Sequence, residues 1–326
     1  MSTLKNQFLL TDTSSGLFSG KHRLRRYLLI TCLLFSSTTG FAQQVFLPPS
    51  PVYQPDRLKT VVITEIATGV AISAGLYFLW YKKHPRSSFH FFNDNNEWLQ
   101  VDKVGHATTA YNIGVIQYDL MRWCGVNNDV SITVGSLTAL GYMSIIEVFD
   151  GFSSKWGFSK GDMLANIIGV ALFAGQQRGW NQQRISLKWS FHGSPYAKYY
   201  PAELGSNFFS RMLKDYNGQT YWLSFNVASF LPTNSGFPYW LNMDIGYGAE
   251  GMIGARENPP VIGGKPVPDF PRYRKWFFAP DADLFRIPTQ SGFYNAAAYL
   301  TKFSKIPAPT LEWNRIKGLK FYPIYY

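Results

Sequence analysis

Two periodicities divide the chain. Between residues 58 and 178 apolar positions come in long runs broken by Gly, Asn and Asp, and after residue 183 they alternate. The first run, "LKTVVITEIATGVAISAGLYFLWYKK" (58–83), is interrupted by Glu65 and ends in Trp80, Tyr81 and two lysines. It reaches the ~20 residues a spanning helix needs, and its aromatic–basic end resembles an interfacial anchor. A buried helix in a soluble bundle is the alternative, which Glu65 favours. Further helices are predicted at 102–122, 130–149 and 160–178, separated by "CGVNNDV" and "DGFSSKWGFS". All three are rich in Gly, Ala, Ser and Thr, which let helix backbones approach closely. Together these segments predict a membrane-associated all-α bundle over residues 58–182, preceded by a proline-rich spacer at 43–57.

Beyond residue 183 the period is two. "RISLKWSF" places Ile185, Leu187, Trp189 and Phe191 on one face. "TYWLSFNVASFL" opposes Tyr221, Leu223, Phe225 and Val227 to Trp222, Ser224 and Asn226, and "YWLNMDIGYG" aligns Leu241, Met243, Ile245 and Tyr247. An Asn-Gly turn signal in "DYNGQT" precedes the second of these. The expectation for 183–326 is an antiparallel β region with long loops, so the fold class is α+β. Its strands could pack on the helices or form part of a small barrel at the outer membrane, where the aromatic end "FYPIYY" would fit. Five or six convincing strands fall short of a closed barrel of eight.

Composition moves the picture toward the cell envelope. Charged residues make up 16% and aromatic residues 17% of the 326, against a usual charged share of ~25%. The N-terminal stretch "KHRLRRYLLITCLLFSSTTGFAQQ" has a basic start, an apolar core and small residues before a cleavage expected after Ala42, which predicts a secretory signal peptide over 1–42. Its removal takes away five Lys/Arg and Asp12, so the net charge falls from +11 to +7. That balance favours anionic membrane surfaces, while no basic helix or zinc-ligand pattern points to nucleic acid. Cys32 lies in the signal core after Thr31 and before an apolar run, which is no lipobox, and Cys124 is then alone.

Two pattern matches carry little. "GYGAEG" (246–251) satisfies G-x-G-x-x-G without a βαβ context, and "GFSKG" (157–161) satisfies G-x-S-x-G without a buried strand before it. Ser159 followed by Asp162 reads better as a capping box opening the helix at 160.

The informative residues are paired. Asp102 and His106, beside Lys103, stand four apart and share a helix face. Glu147 and Asp150 occupy a helix C-terminus, where acids oppose the dipole by ~0.3–1 kcal/mol each. A helix accepting both there calls for a cation or a strong donor. Asp162 and Asn166 follow on the next helix, and a buried amide at 166 needs a partner. If the helices are antiparallel neighbours, Asp102, Lys103, His106, Glu147, Asp150, Ser159, Asp162 and Asn166 form one polar cluster. Such a cluster could be a structural hydrogen-bond network in a protein with a binding or scaffolding role in the envelope. It could also be a site in which His106, Glu147 and Asp150 act as acid–base groups or hold a divalent metal, in a hydrolase or transferase acting on a lipid or cell-wall substrate. The expected partners are a membrane lipid or another envelope component.

The order D-K-x-x-H, E-x-x-D, G-x-S-x-x-D with a following Asn and Gly resembles the YfiM-like predicted periplasmic lipoproteins, domain-of-unknown-function family 2279. It is also distantly similar to VanZ-like membrane proteins. The matching residues are Asp102, Lys103, His106, Glu147, Asp150, Ser159, Asp162, Asn166 and Gly169, within roughly 98–175. The resemblance implies placement in the periplasm or at the outer membrane and transfers no activity.

Overall fold

The computed structural model describes residues 46–82, 84–287 and 289–325. The signal peptide expected at 1–42, with Cys32, lies outside the described residues.

Four long helices come first. Helix α1, Pro55–Leu76, opens with proline in its first turn, where a missing N–H costs nothing, and runs on through a π-helical turn at Tyr77–Tyr81. It begins three residues before the expected start. Helix α2, Val101–Trp123, is the centre of the bundle and packs against α3, Asn128–Gly151, and α4, Lys160–Trp180. Asn127 caps α3 by accepting from the Val130 N–H, and Ser159 caps α4 by accepting from the Asp162 N–H at 3.0 Å. The capping reading of Ser159 therefore holds.

Small residues set the helix spacing. A Cβ on Gly169 of α4 would lie 2.1 Å from the Ala107 carbonyl oxygen of α2, and one on Gly135 of α3 would lie 2.8 Å from that of Gly114. Phe173, fully buried, fills the gap that Gly114 leaves. Burying such a ring contributes roughly 1.5–3 kcal/mol.

Helix α1 is different. It touches the bundle through Val61 near Met121 and Cys124, and its Glu65 carbonyl accepts from the Tyr142 hydroxyl at 3.2 Å. Val62, Ile63, Ile66, Val70 and Ile72 remain exposed. Among the described residues, 55–81 and 128–151 are the two helical stretches long and apolar enough to cross a membrane.

The α+β expectation is met by the second half. Strands β1 (Ile185–Phe191), β2 (Gln219–Asn226), β3 (Leu241–Glu250), β4 (Tyr273–Ala282), β5 (Ala308–Asn314) and β6 (Gly318–Tyr325) form one six-stranded antiparallel meander in sequence order. "GYGAEG" falls at the end of β3, in Gly-rich strand and turn. The sheet coils strongly, because the Tyr325 hydroxyl on β6 meets the Thr220 hydroxyl on β2 at 3.0 Å. Residues 303–305, just before β5, stitch onto the free edge of β1 through Trp189 N–H to Phe303 O and Lys305 N–H to Trp189 O, both 3.0 Å.

The alternation is inverted relative to a soluble sheet. The inward face carries Lys188, Ser224, Asn226, Asn242, Asp244, Lys275, Asp281 and Glu312, all buried. The outward face carries Ile245, Trp276, Phe278, Leu311, Trp313 and Phe321, all exposed. Only part of that face is covered, by the bundle: the Tyr111 hydroxyl donates to Ile185 O at 3.2 Å, and a Cβ on Gly105 would lie 2.7 Å from the Tyr221 hydroxyl.

Candidate functional site

The three polar pairs do meet. The antiparallel packing of α3 and α4 puts the end of one beside the start of the other, and the first turns of α2 face both. His106 sits at the centre. Its Nδ1 lies 3.2 Å from Asn166 Oδ1 and 3.7 Å from Glu147 Oε1. Its Nε2 lies 4.0 Å from Asp102 Oδ1 and 3.9 Å from Asp162 Oδ1. Lys103 reaches over the same acids, with Nζ 2.7 Å from Asp94 and from Asp162 and 3.5 Å from Asp102.

Each acid is held in its own way. Glu147, with a side chain 1% exposed, accepts from the Ser159 N–H at 3.0 Å through Oε2, while Oε1 has no hydrogen-bond donor. Asp150 accepts from the Tyr81 hydroxyl at 2.8 Å, and Asp102 accepts from the Tyr216 hydroxyl. The Ser159 hydroxyl donates to Asp94 at 2.6 Å. A cleft of about 170 Å³ opens onto the group, lined by Asp102, His106, Asp150 and Asp162 with Trp80 and Trp156 in its wall.

Five carboxylates face one ammonium and one imidazole, so the group is short of positive charge. Burial pushes the Asp162 carboxyl up to about 7, helped by Asp102. Burial likewise pushes Glu147 up to about 8 and Asp150 up to about 7. Burial opposes charge on His106, but Asp102, Asp162 and Glu147 together outweigh it and raise the imidazole above its ordinary value. Asp94 goes the other way: contacts with Asp162, Lys103 and Ser159 overcome its burial and hold it below the usual range.

The grouping differs from the trio read in the sequence. The ligand atoms within 4.8 Å of one another belong to Asp102, His106 and Asp162. Glu147 faces the other ring nitrogen of His106, and Asp150 turns toward Tyr81. His106, Glu147 and Asp150 therefore share the site without sharing one point.

Residues 90–175 match the family DUF2279, described as a predicted periplasmic lipoprotein. The DUF2279 segment contains Asp94, Asp102, Lys103, His106, Glu147, Asp150, Ser159, Asp162, Asn166 and Gly169, and it ends before the sheet begins. Its description fits the export read from the N-terminal leader. No curated protein and no solved structure matches the chain.

Three contributors escaped the sequence reading. Asp94 lies eight residues before Asp102 in "FFNDNNEW", where an acid in a loop without periodicity gives no signal. Tyr81 and Tyr216 come from outside the DUF2279 segment. So does the anchoring of a strained turn that opens α2. Trp98, Leu99 and Gln100 have φ of 47°, 50° and 64°, a left-handed run without glycine. Such residues cost on the order of 1–3 kcal/mol each and persist only where the surroundings hold them. Here the Trp98 N–H donates to Ala255 O at 2.7 Å, and the Tyr247 hydroxyl donates to Leu99 O. The turn fixes the direction in which α2 starts, and with it the placement of Asp102 and His106.

Proposed function

We propose that this envelope protein holds one divalent cation between Asp102, His106 and Asp162 and uses it for hydrolysis or group transfer on a lipid or cell-wall substrate. The observation that carries the reading is the posture of His106. One ring nitrogen is engaged by Glu147 and Asn166 behind it, and the other faces two carboxylates at an open cleft. A metal-binding imidazole commonly donates its second N–H to an acid or carbonyl in this way, which fixes its tautomer. The unsatisfied Oε1 of buried Glu147 is placed for that role. A bound cation supplies a polarised oxygen or an activated water at near-neutral pH. Asp150, raised to about 7 and hydrogen-bonded to Tyr81, can hold or release a proton at the cleft wall.

One observation favours a second reading, a structural network in a binding or scaffolding protein. The Lys103 ammonium already sits 2.7 Å from both Asp94 and Asp162. Elemental analysis and calorimetric titration with Mn²⁺ and Zn²⁺ separate the two. A single cation bound by the wild type and lost in Asp102→Asn supports the metal site. Absence of binding by the wild type leaves the network.

A further inference from the structure

The outer surface says where the cleft lies. We infer that the chain is seated in a lipid bilayer with its cleft at head-group level, so the cleft receives the polar head of a membrane lipid. The lipid head as ligand rests on the cleft being the functional site proposed above. The seating stands on separate observations.

The first is the inverted sheet. Lys188 Nζ meets Asp281 at 2.6 Å with side chains 1% and 0% exposed, and Lys305 Nζ meets the same acid at 3.2 Å. Tyr322 donates to Glu312 at 2.8 Å. Most of the polar face is thus paired internally, with buried Asp244 left to an ion pair with Lys305 at 3.7 Å and no hydrogen-bond donor, and it is the covered face. The register makes a continuous outer row of Ile245, Phe278, Leu311 and Phe321, exposed by 47, 49, 39 and 58%. Water selects the opposite arrangement, whereas hydrocarbon selects this one.

The second is the order of rows. Next to the apolar row, on the side of the cleft, runs Tyr247–Trp276–Trp313, and the next outward position on β4 is Arg274. Apolar, then aromatic, then basic is the sequence met on leaving a membrane.

The third is α1. Its 22 residues extend about 33 Å, close to the ~30 Å of a hydrocarbon core. At its start Arg57 lies over the Trp123 ring at 4.7 Å, and just past its end Lys214 lies over Trp80 at 4.8 Å. An aromatic–basic pair therefore marks each end of the exposed apolar stretch.

Both boundaries on the cleft side touch the site. Trp80 and Tyr81 line the cleft, and Tyr247 holds the turn that opens α2. Asp102, His106, Glu147 in the last turns of α3 and Asp162 in the first turn of α4 then lie outside the hydrocarbon, at its edge. A protein partner would cover one patch. Here two separate elements carry matching belts, which a bilayer satisfies together.

The test uses the full chain in phosphatidylethanolamine–phosphatidylglycerol vesicles, read by tryptophan fluorescence. Lipids brominated on the acyl chain should quench the wild type, and W276F/W313F should lose that part of the quenching which is strongest for bromines near the head group. Lipids carrying a nitroxide on the head group should quench Trp80 and Trp156, a component lost in W80F/W156F. Release of the protein by carbonate with no acyl-chain quenching overturns the seating. Acyl-chain quenching without head-group quenching of the cleft tryptophans overturns the placement of the cleft. Failure to bind Mn²⁺ with both quenching patterns intact removes the metal reading and leaves the seating.

Discussion

Glu147 Oε1 stands 3.7 Å from His106 Nδ1 and has no hydrogen-bond donor of its own. A buried acid facing an imidazole that also faces the cleft gives the ring one orientation and a reason to carry charge. Glu147→Gln keeps the shape and removes the negative charge that Glu147 takes on as pH rises through about 8. The imidazole should then titrate at lower pH, read by NMR, and cation affinity should fall by roughly 10–100-fold. An unchanged His106 titration would show that the two groups do not communicate.

Asp102→Asn and Asp162→Asn act on the other nitrogen. Each should abolish stoichiometric cation binding while leaving far-UV circular dichroism unchanged. Asp162→Asn should also loosen Lys103, which loses one of its two closest acids.

The pH dependence has a definite sign. Asp162, Asp150 and Glu147 carry pKa values raised by burial to about 7, about 7 and about 8. The folded chain therefore binds more protons than the unfolded chain above pH ~4, the ordinary carboxylate value. Stability should fall as pH rises from about 4 through about 8, and the raised His106 adds in the same direction. Thermal melts across pH 5–9 check this. A divalent cation displaces those protons, so its apparent affinity should rise over the same window.

Two substitutions probe the framework. Gly169→Ala brings a methyl to 2.1 Å from the Ala107 carbonyl and should cost about 1–3 kcal/mol in denaturant unfolding. Ser159→Ala removes the α4 cap and the hydroxyl donor to Asp94, with an expected loss of about 0.5–2 kcal/mol.

Much of this arrangement is legible in the sequence because it is local. Helix periodicity places Asp102 with His106 and Glu147 with Asp150, and short connections bring the helix ends together. Asp94, Tyr81 and Tyr216 were not legible, since each reaches the cleft through tertiary packing with no spacing to announce it. The strands teach a different lesson. Alternation separates Tyr221, Leu223 and Phe225 from Trp222, Ser224 and Asn226 but does not say which set turns inward. That depends on the medium outside, and the structure turns Ser224 and Asn226 in.

Lys103 sets a condition on any cation in the cleft. Its ammonium spans Asp94 and Asp162 at 2.7 Å from each, against the acid proposed to hold the cation. The chain thus brings its own permanent counter-ion on a tether. A cation of the kind proposed would have to share Asp162 with that fixed charge.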